Sequence, residues 1–249
     1  MQTGQSERVH NLNLMKKHRF CFTLASLLLL FGLTHSVASY GQKGSFINVN
    51  VGVGAGELTQ KITGNIITTY DNGTKEKNKI GYDLTYYIKP IGFVDLEYVL
   101  NGFVTMFEGM YDKAEYIDYR EYTDRDFLVL DPEKFRDTDI YSGSFLFGPI
   151  LFHGHRFQMP VLGGVSVKYF GADPINTAYV DFVYKVRAKL YITSKFGIFA
   201  GFSGSYGGTK LDKDDLGNLA PRNDGKYDLT AKRIQVEAGL TVMVGRRKK

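Results

Sequence analysis

Three cations stand two residues apart: Lys185, Arg187 and Lys189. They alternate with Phe182, Tyr184, Val186, Ala188, Leu190 and Ile192. A period of two marks a strand with unlike faces. Further charges sit on the polar side of similar runs: Asp83, Asp95, Glu97, Lys168 and Glu237. If those faces meet inside a closed cylinder the charges must pair, because an isolated buried charge costs roughly several kcal/mol. The expectation is a lumen ion-pair network of Asp83, Asp95, Glu97, Lys168, Lys185, Arg187, Lys189 and Glu237 that braces the strands. The competing reading of these residues is a gated polar path for small ions. Eight strands leave little free bore and favour the brace.

Other chemistry-bearing spacings are weaker. His153 and His155 flank Gly154, but a catalytic zinc takes three protein ligands and no third stands nearby, so a solvated turn is expected. The stretch Asp212-Lys213-Asp214-Asp215-Leu216-Gly217 partly matches a calcium loop. Leu216 stands where an oxygen ligand belongs, and Asn223 replaces the closing Glu. There is no nucleophile elbow and no P-loop, and the glycines of 52–56 precede no helical pattern. No catalytic, cofactor or metal site is expected.

The elements that would position the charges are eight alternating segments. They are Phe46–Gly54, Ile80–Ile88, Val94–Asn101, Ile140–Phe152, Val161–Tyr169, Asp181–Ile192, 197–206 and Ile234–Val244. Their lengths suit tilted strands of about 9–11 residues crossing a bilayer. Gaps after odd segments are long (55–78, 103–138, 170–179, 207–231), whereas those after even segments are short (89–91, 153–157, 193–195). Within the first long gap, Asp71-Asn72-Gly73 is a hairpin-turn signal.

Lys16, Lys17 and Arg19 precede the apolar stretch Phe20–Leu33, and Ser36 and Ala38 follow it. Residues 1–38 therefore read as a cleaved export signal, with Met15 as an alternative start. The apolar stretch is too short to span a bilayer as a helix. The single cysteine, Cys21, lies at the front of this run, so the mature chain holds no disulfide. The net charge of +5 comes from the ends, since the last four residues are Arg246, Arg247, Lys248 and Lys249. Between the ends acids slightly outnumber bases, which excludes a nucleic-acid partner that needs a basic face.

Alternation alone does not orient the faces. A secreted soluble barrel of the lipocalin type would bury the apolar side, and a membrane barrel would expose it. Three features favour the membrane: the export signal, the glycines on the polar face (Gly52, Gly81, Gly148, Gly164, Gly197, Gly201, Gly239), and tyrosines near the long-loop ends. Small residues fit a narrow lumen, and Tyr82, Tyr141, Tyr169, Tyr184 and Tyr206 would form an interfacial girdle. The expected fold is all-β: an eight-stranded antiparallel up-and-down transmembrane β-barrel over 44–245, with short periplasmic turns, long extracellular loops and a basic tail at 246–249.

On this layout, with Gly148-Pro149 and the run Lys185–Ile192, the chain resembles the small outer-membrane β-barrel domain family of OmpA-like or porin-like single barrels. The resemblance implies the outer membrane of a double-membraned bacterium, and contact with its lipid and lipopolysaccharide. The family usually ends on an aromatic residue, whereas this chain ends Val244-Gly245 and the basic tail. Either the tail is a periplasmic extension or assembly uses another cue. The expected role is non-enzymatic, structural or adhesive. A lipid- or lipopolysaccharide-modifying enzyme and a narrow ion channel stand as alternatives. The 103–138 region, acidic and carrying Tyr111, Tyr116, Tyr119 and Tyr122, is the expected loop contact for an extracellular protein or divalent cations; surface hydration is the competing reading.

Overall fold

A computed structural model describes residues 45–123, 137–154, 156–171, 176–211 and 227–244. The export segment, the 212–217 acidic stretch, His155, the side chains of His153 and Tyr122, and the basic tail lie outside the described residues.

Eight strands form one closed antiparallel barrel: β1 (Ser45–Thr69), β2 (Lys75–Leu100), β3 (Phe103–Thr123), β4 (Thr138–His153), β5 (Phe157–Gly171), β6 (Asn176–Tyr191), β7 (Phe196–Leu211) and β8 (Tyr227–Val244). Each strand pairs with its sequence neighbours, and β1 closes on β8 from Ile47↔Val244 to Gly64↔Tyr227. Closure pairs the backbone groups around the ring and removes the open sheet edge.

Strands β1, β7 and β8 run into the expected gaps 55–78 and 207–231, and the largest departures from the sequence expectation lie in β2 and β3. The segments Ile80–Ile88 and Val94–Asn101 are one strand, β2, and no turn occurs at 89–91. The turn is Asn101-Gly102, with φ of 50° and 84°. Both angles lie in the left-handed region that a two-residue type I′ hairpin demands. The supposed loop 103–138 begins with strand β3. The strand count stays at eight because one segment was split and one was missed.

The uninterrupted course of β2 contains an irregularity at Lys89–Gly92. Ile88 pairs with Ala114 and Phe93 with Met110, so β2 spends extra residues there. An odd number of residues separates the faces differently on each side of the interruption. Tyr82, Leu84, Tyr86 and Ile88 point into the barrel, while Val94, Leu96, Tyr98 and Leu100 point out of it. Even-numbered residues are apolar throughout, so the inversion leaves no trace in the hydropathy pattern.

Below the irregularity, toward the short turns, the outer wall is apolar around the ring. Val51, Leu96, Phe107, Phe147, Val167, Phe182, Ile198 and Val236 belong to it. Leu190 and Val242 are 48% and 43% exposed while Arg187 is fully buried, the reverse of a soluble carrier with a greasy cavity. Above it the outer face carries Glu57, Lys61, Asp83, Lys113, Glu115 and Lys232, and an apolar cluster of Leu58, Ile62, Leu84, Tyr86, Ile140, Phe170 and Leu229 fills the inside. At 25 and 26 residues, β1 and β2 far exceed the roughly 9–11 needed to cross a bilayer. They end in a turn at Tyr70–Thr74, where the Gly73 amide donates to the Tyr70 carbonyl at 2.8 Å.

Candidate functional site: the ion-paired core

Arg187 projects from β6 into the barrel's middle, its direction set by strict alternation along that strand. Its guanidinium donates from Nη1 to Asp95 Oδ2 at 2.5 Å and from Nη2 to Glu108 Oε2 at 3.0 Å. Nε and Nη2 both reach Glu237 Oε2, at 3.0 and 2.9 Å. Glu97 Oε1 stands 3.7 Å away. The rings of Phe93 and Phe199 lie against it, with centroids 4.9 and 4.6 Å from Cζ, a contact that gains strength when the cation is desolvated.

The neighbours of Arg187 on the same face extend the network. Lys185 pairs with Glu108 and, at 2.9 Å, with Glu237. Lys189 pairs with Glu97 and donates to Asn50 Oδ1 at 3.3 Å. Asn50 holds Asp95, and Asn48 donates to Glu97 at 3.0 Å. Three cations thus face four carboxylates contributed by β2, β3 and β8. Such a cluster ties strands far apart in sequence into one register.

Of the expected network, the structure brings together Asp95, Glu97, Lys185, Arg187, Lys189 and Glu237. Lys168 joins a separate pair nearer the long loops, with Asp181 and Ser205 each at 2.5 Å. Asp83 does not belong to the lumen. The β2 inversion turns it outward, where it sits 3.6 Å from Lys61. Glu108 was missed because it lies in β3, hidden within the presumed loop. Arg233, bonded to Asp112 at 2.6 Å, was missed because it falls above the segment beginning at Ile234.

The tyrosines divide as well. Tyr141, Tyr169, Tyr184 and Tyr206 are exposed on the outer wall. Tyr82 is not in that girdle; it is buried in the upper interior. Tyr111 is a strand residue on the outer wall, donating to Asp139 at 2.9 Å. Tyr116 and Tyr119 pack against the upper apolar cluster rather than projecting from a loop. Tyr122 stands in β3 opposite Gly81.

The small inward residues make room for the charged layer. A Cβ at Gly52 would come 2.6 Å from Phe93 and 2.9 Å from Phe199; one at Gly239 would come 2.6 Å from Phe199. Chemically, the arrangement is suited to bracing. A second apolar cluster, including Phe46, Val104, Met106, Leu146 and Ile150, closes the interior on the short-turn side. Among the described residues no group of three or more His, Cys, Asp or Glu is placed to hold a metal.

No protein-family model matches the sequence, and no curated protein matches it. Solved structures do. The chain is similar to the outer membrane protein OprG from Pseudomonas aeruginosa, with a TM-score of 0.51 and 10% identity over 83% of this chain and 99% of that one. Neisserial surface protein A aligns with a TM-score of 0.37 and 9% identity, over 75% of this chain and 96% of that one. Ail of Yersinia pestis aligns with a TM-score of 0.30 and 12% identity, over 76% and 97%. The likeness to OprG establishes a shared fold, a small closed antiparallel β-barrel.

Proposed function

We propose that this chain is a non-enzymatic outer-membrane barrel of a double-membraned bacterium, exported by residues 1–38, whose role is structural or one of surface contact. The carrying observation is the ring of exposed apolar side chains around a fully buried ionic core. In water that ring would be an unusually large apolar patch; in lipid it is the favoured exterior. The lumen is occupied by packed apolar clusters above and below the charged layer, which favours a brace over an ion path.

The surface role rests on the long β1–β2 hairpin. Among the described residues, β1 pairs with β8 as far as Gly64 and β2 pairs with β3 from Ile80 onward. Asn65–Thr69 and Lys75–Lys79 continue the β1–β2 pairing as a hairpin ribbon to the turn. Lys75, Lys77 and Lys79 are exposed and share one side of that ribbon, which offers a contact for anionic surface groups such as those of lipopolysaccharide.

The test is fractionation of cells expressing the full chain, followed by gel electrophoresis with and without boiling. Recovery in the outer membrane with a mobility that shifts on heating supports the reading. A chain recovered in the soluble fraction contradicts it.

A further inference from the structure

On the outer wall, four cross-strand partners form a row across β2, β3, β4 and β5: Val94, Gly109, Gly143 and Val167. The row on the short-turn side is Leu96, Phe107, Phe145 and Val165, and on the other side Tyr111, Tyr141 and Tyr169 stand in line. The Phe107 and Phe145 rings are 4.9 Å apart and those of Tyr111 and Tyr141 5.0 Å apart. Two adjacent side chains are missing between two aromatic walls, which leaves a trough.

Packing within the barrel does not demand these glycines. A Cβ at Gly109 or at Gly143 would meet nothing within 4 Å, unlike the inward glycines. Their φ angles are not in the left-handed region either. Glycine inside a strand weakens it, and its recurrence there marks close approach by something else. We propose that the trough binds one hydrocarbon tail of a membrane lipid.

This inference rests on the membrane reading above, because the trough is continuous with the apolar ring which that reading places in hydrocarbon. Its outward side chains are all uncharged. The two aromatic rows are four residues apart along each strand, about 13 Å between backbones. With rings projecting from both sides, the gap suits one slender chain and not a helix of about 10–12 Å diameter. A second copy related by an axis normal to the membrane would set trough against trough at equal depth, enclosing a void instead of filling one.

The experiment reconstitutes the full chain in phosphatidylethanolamine–phosphatidylglycerol vesicles containing a phospholipid with a photoactivatable diazirine in one acyl chain. Labelled peptides are then mapped by mass spectrometry. Residues 103–113 and 138–147 are expected to carry several-fold more label than the β8 wall around Val236 and Leu240. Gly109→Val with Gly143→Val should lower that excess at least fivefold. Both substitutions favour a strand and enter open space, so the barrel should retain its heat-modifiable mobility; Gly143→Ala alone provides a milder check. Ala238→Val, on the opposite wall, should leave the excess unchanged. Even labelling around the ring, or an excess unaltered in the filled variants, overturns the trough while leaving the membrane reading intact. Cross-linking of two copies through this face in place of lipid labelling also overturns it.

Discussion

The wall of this barrel has opposite senses on the two sides of Lys89–Gly92. In the lower region Leu96 faces out and Glu97 faces in; in the upper region Leu84 faces in and Asp83 faces out. Both regions alternate with the same parity. The difference teaches that alternation reports two unlike faces and is silent on which solvent each one meets. The lower region is built for hydrocarbon outside and ion pairs inside. The upper region is built as a soluble barrel is, with a greasy interior and charges in water.

Substitutions can break or sharpen that contrast. The largest effect is expected at Arg187, the hub of the lower interior. Arg187→Met leaves four buried carboxylates with two remaining cations, and a stability loss of about 3–5 kcal/mol is expected. Urea unfolding in lipid vesicles, followed by tyrosine fluorescence, measures it; a loss below 1 kcal/mol would remove the ionic core from the account of stability. Next comes Leu84→Ala in the upper interior, which should cost roughly 2–5 kcal/mol through lost burial and the cavity left behind. Leu96→Ala shares its sequence parity but should cost clearly less, because lipid flows into the gap. Equal losses in the same unfolding assay would deny the inversion.

Charge insertion on the outer wall should separate the regions again. Leu240→Lys is expected to destabilise by about 2–4 kcal/mol. Thr85→Lys, on the upper outer face, should stay within about 0.5 kcal/mol, as exposed substitutions usually do. Apart from the near-neutral Thr85→Lys, the mildest effect is local: Gly102→Ala forces a side chain into the left-handed turn and should cost about 1–2 kcal/mol. Comparing the unfolding midpoints of these variants orders all six.

Much of this was legible residue by residue. The run Tyr184–Leu190 has apolar residues on one face and only cations on the other, so strand and face could be read, and charge pairing named Asp95, Glu97 and Glu237 as partners while leaving out Glu108. β8 is equally clean. β3 was not legible because its two faces are alike: Val104, Met106, Glu108 and Asp112 point in, while Phe103, Phe107, Lys113 and Glu115 point out. With apolar and charged residues on both sides, no period of two survives, and Glu108 disappears into an acidic loop. The girdle position of Tyr82 and the lumen position of Asp83 failed for a different reason. A bulge changes the direction of every later side chain without changing a single hydropathy value.

The sense of the wall itself can be measured directly. Spin labels on single cysteines at Leu96 and Val236, and at Glu57 and Thr85, would be compared for collision with oxygen, which concentrates in lipid, and with a water-soluble nickel complex. The account predicts oxygen-dominated relaxation at Leu96 and Val236 and nickel-dominated relaxation at Glu57 and Thr85. Nickel access at Leu96 and Val236, with neither reagent distinguishing them from Glu57 and Thr85, would contradict it.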